Sequence, residues 1–178
     1  MRSWKQIPVL FALAVVSQAT TLVKLSLDEM LAKSTDIVRG RVRNCQAVQR
    51  GAAIATDCVV TVSERLKGLP AGTMAISVPG GSLRNARGKV RHVIVGAPEF
   101  NEKQEYLLFL WTGKSGVTQL IGLSQGVLEI GTQGGQVVAQ RSPAAGVSYQ
   151  NAAGHEVEDD GLTVTLDSVR RRLAKETR

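Results

Sequence analysis

Between Ile37 and Gln140 the chain alternates short runs rich in Val, Ile and Thr with turns that carry glycine. That spacing is the pattern of strands joined by tight connections, and it leaves little room for helical structure in this stretch. Residues 37–48 and 54–66, with Gly51 between them, predict a long hairpin. Residues 67–72 form a turn, 73–78 the next strand, and Pro79-Gly80-Gly81 closes it. The polar, basic residues 82–89 read as a surface loop, 90–95 as a short strand and Gly96-Ala97-Pro98 as a turn. Residues 105–111 are the most apolar segment outside the first nineteen and predict a central strand, with Tyr106, Phe109 and Trp111 in the core. Runs at 117–123, 127–130 and 136–140 follow, separated by glycines. Many short strands at close spacing fold as a β-barrel or sandwich.

Helix signals stand only at the two ends. Ser26 with Glu29 three residues on makes a capping box, and Leu25 can staple onto Met30. Ser34-Thr35 stops that helix early. Near the other end, Leu166, Val169 and Leu173 recur at i, i+3 and i+7, predicting a terminal helix over 163–176. Residues 142–161, polar and turn-rich, read as a mobile loop.

Arg2 and Lys5 precede ten uncharged residues, 7–16, and Ser17-Gln18-Ala19 supplies small residues at the end. This is the pattern of a secretory signal peptide, residues 1–19, and its apolar run is too short to span a bilayer. The expected mature domain, 20–178, is one β-barrel domain, exported to the periplasm or beyond the cell, without a membrane span. The full chain carries a net charge of +7; residues 20–178 hold 20 basic and 15 acidic residues, which leaves +5. A mild basic excess fixes no partner.

Cys45 and Cys58 are the only cysteines and lie equidistant from the middle of the proposed hairpin. Direct opposition across antiparallel strands brings Cα atoms within disulfide range, so a Cys45–Cys58 bond is expected. Carried further, the same register places Val60 and Val62 on the face of Arg41 and Arg43. A bulge or shifted pairing must therefore intervene.

Apparent catalytic motifs weaken under inspection. Gly122-Leu123-Ser124-Gln125-Gly126 matches the pattern of a nucleophile elbow, which needs a helix after the serine and an acid and then a histidine downstream. Here a strand follows, and His155 precedes Asp159, Asp160 and Asp167. A hydrolase acting through Ser124 is thus the lesser reading, and a non-enzyme the main one. His155, Glu156, Glu158, Asp159 and Asp160 lack the spacing of an EF-hand loop and read as a solvated acidic turn. No metal and no cofactor is expected. His92 reads as a surface or partner-facing residue.

Arginines do gather. Arg39, Arg41 and Arg43 alternate with Val38, Gly40 and Val42 along one strand face, and Arg84, Arg87 and Arg91 form a second group with Lys89. These six arginines are the candidate partner-binding residues, suited to a protein or an anionic envelope component. Arg170, Arg171, Arg172 and Lys175 sit at a helix C-terminus, where cations offset the dipole. Single-strand nucleic-acid binders interleave such charges with exposed aromatics, which are scarce here, so no nucleic acid is expected.

Thr35-Asp36-Ile37-Val38-Arg39-Gly40-Arg41-Val42, the later Leu66-Lys67-Gly68 and Val78-Pro79-Gly80-Gly81 resemble a broad group of uncharacterised exported bacterial proteins. Gly96-Ala97-Pro98-Glu99-Phe100, Glu105-Tyr106-Leu107-Leu108-Phe109-Leu110 and the Ser124 motif extend that resemblance over residues 25–131. More distantly, the order of short helix, Asp-Ile-Val strand, Lys-Gly turn and Glu-Tyr-Leu-Leu strand is similar to the netrin-like domain. That likeness implies a mainly β fold, a single OB-like barrel with a short N-terminal helix and a C-terminal helix. The netrin-like group includes the tissue inhibitors of metalloproteinases, so it also implies a protease-inhibitor-like alternative. The expectation is an exported, non-enzymatic binding or accessory module presenting a basic barrel face.

Overall fold

The computed structural model describes residues 20–85 and 88–176; the expected signal segment and Arg87 lie outside the described residues. The chain is mainly β, with one helix near each end of the described part. Strand β1 (Thr20–Val23) leads into helix α1 (Leu27–Lys33), which the Ser26–Glu29 capping box starts as the sequence predicts. The long hairpin is β2 (Asp36–Arg50) with β3 (Ala53–Lys67), followed by β4 (Thr73–Pro79). A second hairpin, β5 (Gly81–Asn85) with β6 (Gly88–His92), replaces the loop expected over 82–89, and β6 ends before the expected 95. Next come β7 (Tyr106–Thr112) and β8 (Thr118–Leu120), which is shorter than the run at 117–123. Gly122 turns left-handed there, and a 3₁₀ turn, Leu123–Gly126, takes over.

Strands β9 (Val127–Gln133), β10 (Gln136–Arg141), β11 (Val147–Gln150), β12 (Glu156–Val157) and β13 (Leu162–Thr165) precede helix α2 (Leu166–Glu176), which starts three residues later than the expected 163 because β13 pairs with β10. The stretch 142–161 thus contains two strands, because β11 finds a parallel partner in β1 and an antiparallel one in β12. The main sheet runs β13-β10-β9-β7-β2-β3-β4-β8, and β8 also pairs with β7. The pairings β2–β3–β4–β8–β7–β2 therefore form a circuit, antiparallel except at β4–β8.

Strand β7 explains the arrangement of the core. Tyr106, Leu108 and Leu110 pack with Val38, Val42, Val60 and Ile76 from the other strands of the circuit. Leu107 and Phe109 point the opposite way, into a second cluster with Met30 and Leu31 of α1 and Leu166, Val169 and Leu173 of α2. A strand buried on both faces reads as an unbroken apolar run, which is what residues 106–110 show. Trp111 departs from the expected core: at the far end of β7 it is 48% exposed, with its ring over Gly113.

Two glycines of the β2–β3 region are required by close approach. A Cβ on Gly40 would overlap the carbonyl oxygen of Thr61 and touch Val60, at a point where the β2–β3 register shifts. Gly68, at φ +99°, has the Asp36 carboxylate where its Cβ would be. The adjoining Lys67 donates to the carbonyl of Leu31 at 2.7 Å, tying the end of β3 to α1. No helix among the described residues is long and apolar enough to cross a membrane.

Candidate functional site

The alternation read in β2 is realised: Val38, Gly40 and Val42 are buried, Arg41 and Arg43 exposed, and Arg39 half-buried. Arg39 is committed internally, donating at 2.7 Å to Glu105, whose other oxygen accepts from Ser63. Burial raises the affinity of Glu105 for a proton, but these two donors outweigh it and hold its carboxyl below the usual range.

Cys45 and Cys58 are disulfide-bonded, with Cα atoms 4.1 Å apart. The irregularity demanded by the arginine face lies beside it: pairing shifts between Arg43↔Val59 and Gln46↔Asp57, so Asn44 and Cys45 stand opposite Cys58 alone. Asn44 takes a left-handed conformation, φ 52°, at this bulge. The shift returns Val42 and Val60 to the interior together.

The distal half of the hairpin carries β5, whose Gly81 lies against Ala47, Ile54 and Thr56. His92 of β6 is half-buried rather than free at the surface; its Nδ1 accepts the backbone N–H of Ile54 at 3.3 Å. Ser82, Arg84, Lys89 and Arg91 share one face of the second hairpin through the pairs Ser82↔Arg91 and Arg84↔Lys89. Between this hairpin, the end of β4 and residues 93–100 lies a cleft of about 530 Å³. The disulfide, Val78, Pro79 and Phe100 give it apolar walls, Lys89 and Arg91 its positive charge, and Glu99 its one carboxylate. Val93 and Ile94 at its edge are 66% and 42% exposed. Neither Lys89 nor Arg91 makes an ion pair among the described residues.

Of the expected arginines, the cleft is lined by Arg91 alone. Arg84 shares its strand face, whereas Arg39, Arg41 and Arg43 lie elsewhere on β2. Sequence reasoning overlooked the cleft itself, which depends on a hairpin folding back over another; the polar alternation of residues 81–92 was the available signal.

A second polar assembly also escaped notice. Arg141 and Asp159, whose side chains are 8% and 5% exposed, form a two-pronged ion pair at 2.6 and 2.8 Å. The backbone N–H groups of Gly161 and Ala144 donate to the same carboxylate. Asp159 is therefore not part of a solvated acidic turn, although Asp160 is exposed and pairs with Lys24 at the surface. Arg141 donates to Asp159 and holds its carboxyl below the usual range. Nearby, burial and the Asp159 charge raise the Tyr149 phenol, which stays protonated.

Ser124 sits in the 3₁₀ turn, followed by β9 rather than a helix, and its Oγ is buried without a hydrogen-bond partner. Its N–H donates to Gly96 at 3.0 Å, docking the 96–100 segment. Among the described residues no group of His, Cys, Asp and Glu side chains could hold a metal ion. Comparison with protein-family models, curated proteins and solved structures found no match for this chain.

Proposed function

We propose that this protein is an exported, non-enzymatic binding module built on an OB-type barrel, whose basic cleft receives an anionic partner. The barrel reading is supported by the β2–β3–β4–β8–β7 circuit with its single parallel step, the pairing order of a five-stranded OB barrel. Export is supported by the charge and apolar pattern of residues 1–19 and by a disulfide in a chain of this size. One observation carries the binding reading: Lys89 and Arg91, which make no ion pair among the described residues, line a 530 Å³ cleft with apolar walls and a single carboxylate, Glu99. Pockets of this volume bury small ligands or the anchoring side chain of a larger partner. Exposed Arg84 extends the positive surface along the same hairpin face.

The test uses immobilised protein and an envelope extract, with Lys89→Glu/Arg91→Glu as the control of unchanged fold. A component retained by the wild type, lost by the variant and released by salt bears out the proposal. Equal retention on both overturns it. A netrin-type protease inhibitor is the second reading, favoured by the packing of both helices in one core cluster outside the circuit. Unchanged proteolysis across a panel of secreted metalloproteases would remove it.

A further inference from the structure

The second hairpin has an edge that no other strand covers. Strand β6 pairs with β5 and with no other strand among the described residues. No turn, loop or side chain among them hydrogen-bonds the outward backbone groups of residues 88–91, and all four of these residues are exposed. An open edge of this kind is a template for another extended chain.

The hairpin also carries charge that the fold leaves unanswered. Arg84 and Lys89 stand directly opposite each other, and Arg91 follows Lys89 on the same face. Like charges across a strand pair repel, and two strands alone are marginal in water. Arg84, Lys89 and Arg91 make no ion pair among the described residues, and Glu99, the one carboxylate lining the cleft, pairs with none of them.

Apolar surface continues along the same edge. Val90, between the two cations, is 38% exposed, and Val93 and Ile94 follow just beyond the end of β6, both exposed. A small anion would answer the cations but leave this apolar surface and the backbone edge uncovered. A second copy of β6 would set Lys89 and Arg91 against themselves. An extended segment that alternates acidic and apolar residues meets all three requirements. Its backbone continues the ladder, its carboxylates lie beside Lys89 and Arg91, and the residue between them covers Val90. Residues two apart along a strand are separated by about 7 Å on both chains, so the opposite charges fall into register.

We propose that β6 is a docking edge, at which an extended acidic segment of a partner protein adds as the third strand of the β5–β6 sheet. The proposal rests on the basic cleft as the binding site and specifies what enters it.

The test is a nuclear magnetic resonance titration of the whole protein with a peptide of alternating Glu and Val, and with a peptide of the same composition arranged as one Glu block and one Val block. The alternating peptide is expected to give saturable shifts at residues 88–94 and to slow hydrogen exchange of the β6 amides, with the block peptide weaker. Lys89→Glu/Arg91→Glu, at exposed positions, should weaken binding of the alternating peptide by about tenfold or more, through loss of charge-assisted contacts. Two further peptides, N-methylated at every Glu or at every Val, lose the donors of one edge or of the other; one should fail to bind and the other should still bind. Equal binding by both methylated peptides, or by the block peptide, overturns strand addition. So does an absence of shifts with the alternating peptide while the envelope component is still retained through Lys89 and Arg91, an outcome that leaves the basic cleft standing. Equal retention of that component by wild type and charge variant removes the cleft reading itself. Self-association in sedimentation that the charge variant abolishes would assign the edge to Glu156-Val157-Glu158 of a second copy, and overturns the proposal as well.

Discussion

At Asp159 a carboxylate is held by both terminal nitrogens of Arg141 and by two backbone N–H groups, nearly out of contact with solvent. Removing one partner of such a pair leaves the other charge buried and unanswered, which costs about 3–5 kcal/mol. Asp159→Asn is therefore expected to lower the urea unfolding midpoint by far more than a typical surface substitution. The pair also makes stability depend on pH. The carboxyl titrates lower in the folded chain than in the unfolded one, so its contribution is complete above the ordinary carboxylate value of about 3.9. It is lost as pH falls through the depressed folded value, because the unfolded chain binds the proton first. Unfolding curves recorded at decreasing pH should show this loss in the wild type and a smaller one in Asp159→Asn. Nothing in the run from Glu156 to Asp160 distinguishes Asp159 from its neighbours; only the return of the chain beside Arg141 does.

At the scale of elements, the β2–β3 hairpin was legible in detail. Its midpoint set the cysteines opposite each other, and the conflict between that register and the arginine face called for a bulge or shifted pairing, which the structure places at Asn44-Cys45. Closing a loop with a sequence separation of 13 stabilises the fold by about 3 kcal/mol in the chain-entropy model. Replacing both cysteines by alanine should lower the melting temperature of the oxidised protein. Adding reductant should lower the wild type to the same value and leave the double variant unmoved. Both helices were legible too, from a capping box and an i, i+3, i+7 stripe. The second hairpin was not. Residues 82–92 are polar on one face and carry little apolar area on the other, so their strand character comes from pairing with each other over the first hairpin.

For the molecule as a whole, Gln125 joins parts of the chain that local sequence cannot connect. It is buried, accepts the backbone N–H of Leu25 at 2.8 Å and donates to the carbonyl of Val23 at 3.0 Å, across separations of 100 and 102 residues. Gln125→Leu keeps the volume but leaves two backbone groups without partners, at about 1–3 kcal/mol each. Hydrogen exchange should quicken at Thr20–Val23 and Leu25, while amides of β7 keep their protection. By itself the sequence determined the mainly β character, the terminal helices, the first hairpin and its disulfide. Each of these follows from periodicity, caps and turn residues within a few positions of one another. Only the tertiary structure decided the strand circuit, the burial of Asp159 on Arg141 and the basic cleft beside residues 93–100. Those depend on which distant segments exclude water from one another, and that choice is made by the packing of the whole chain.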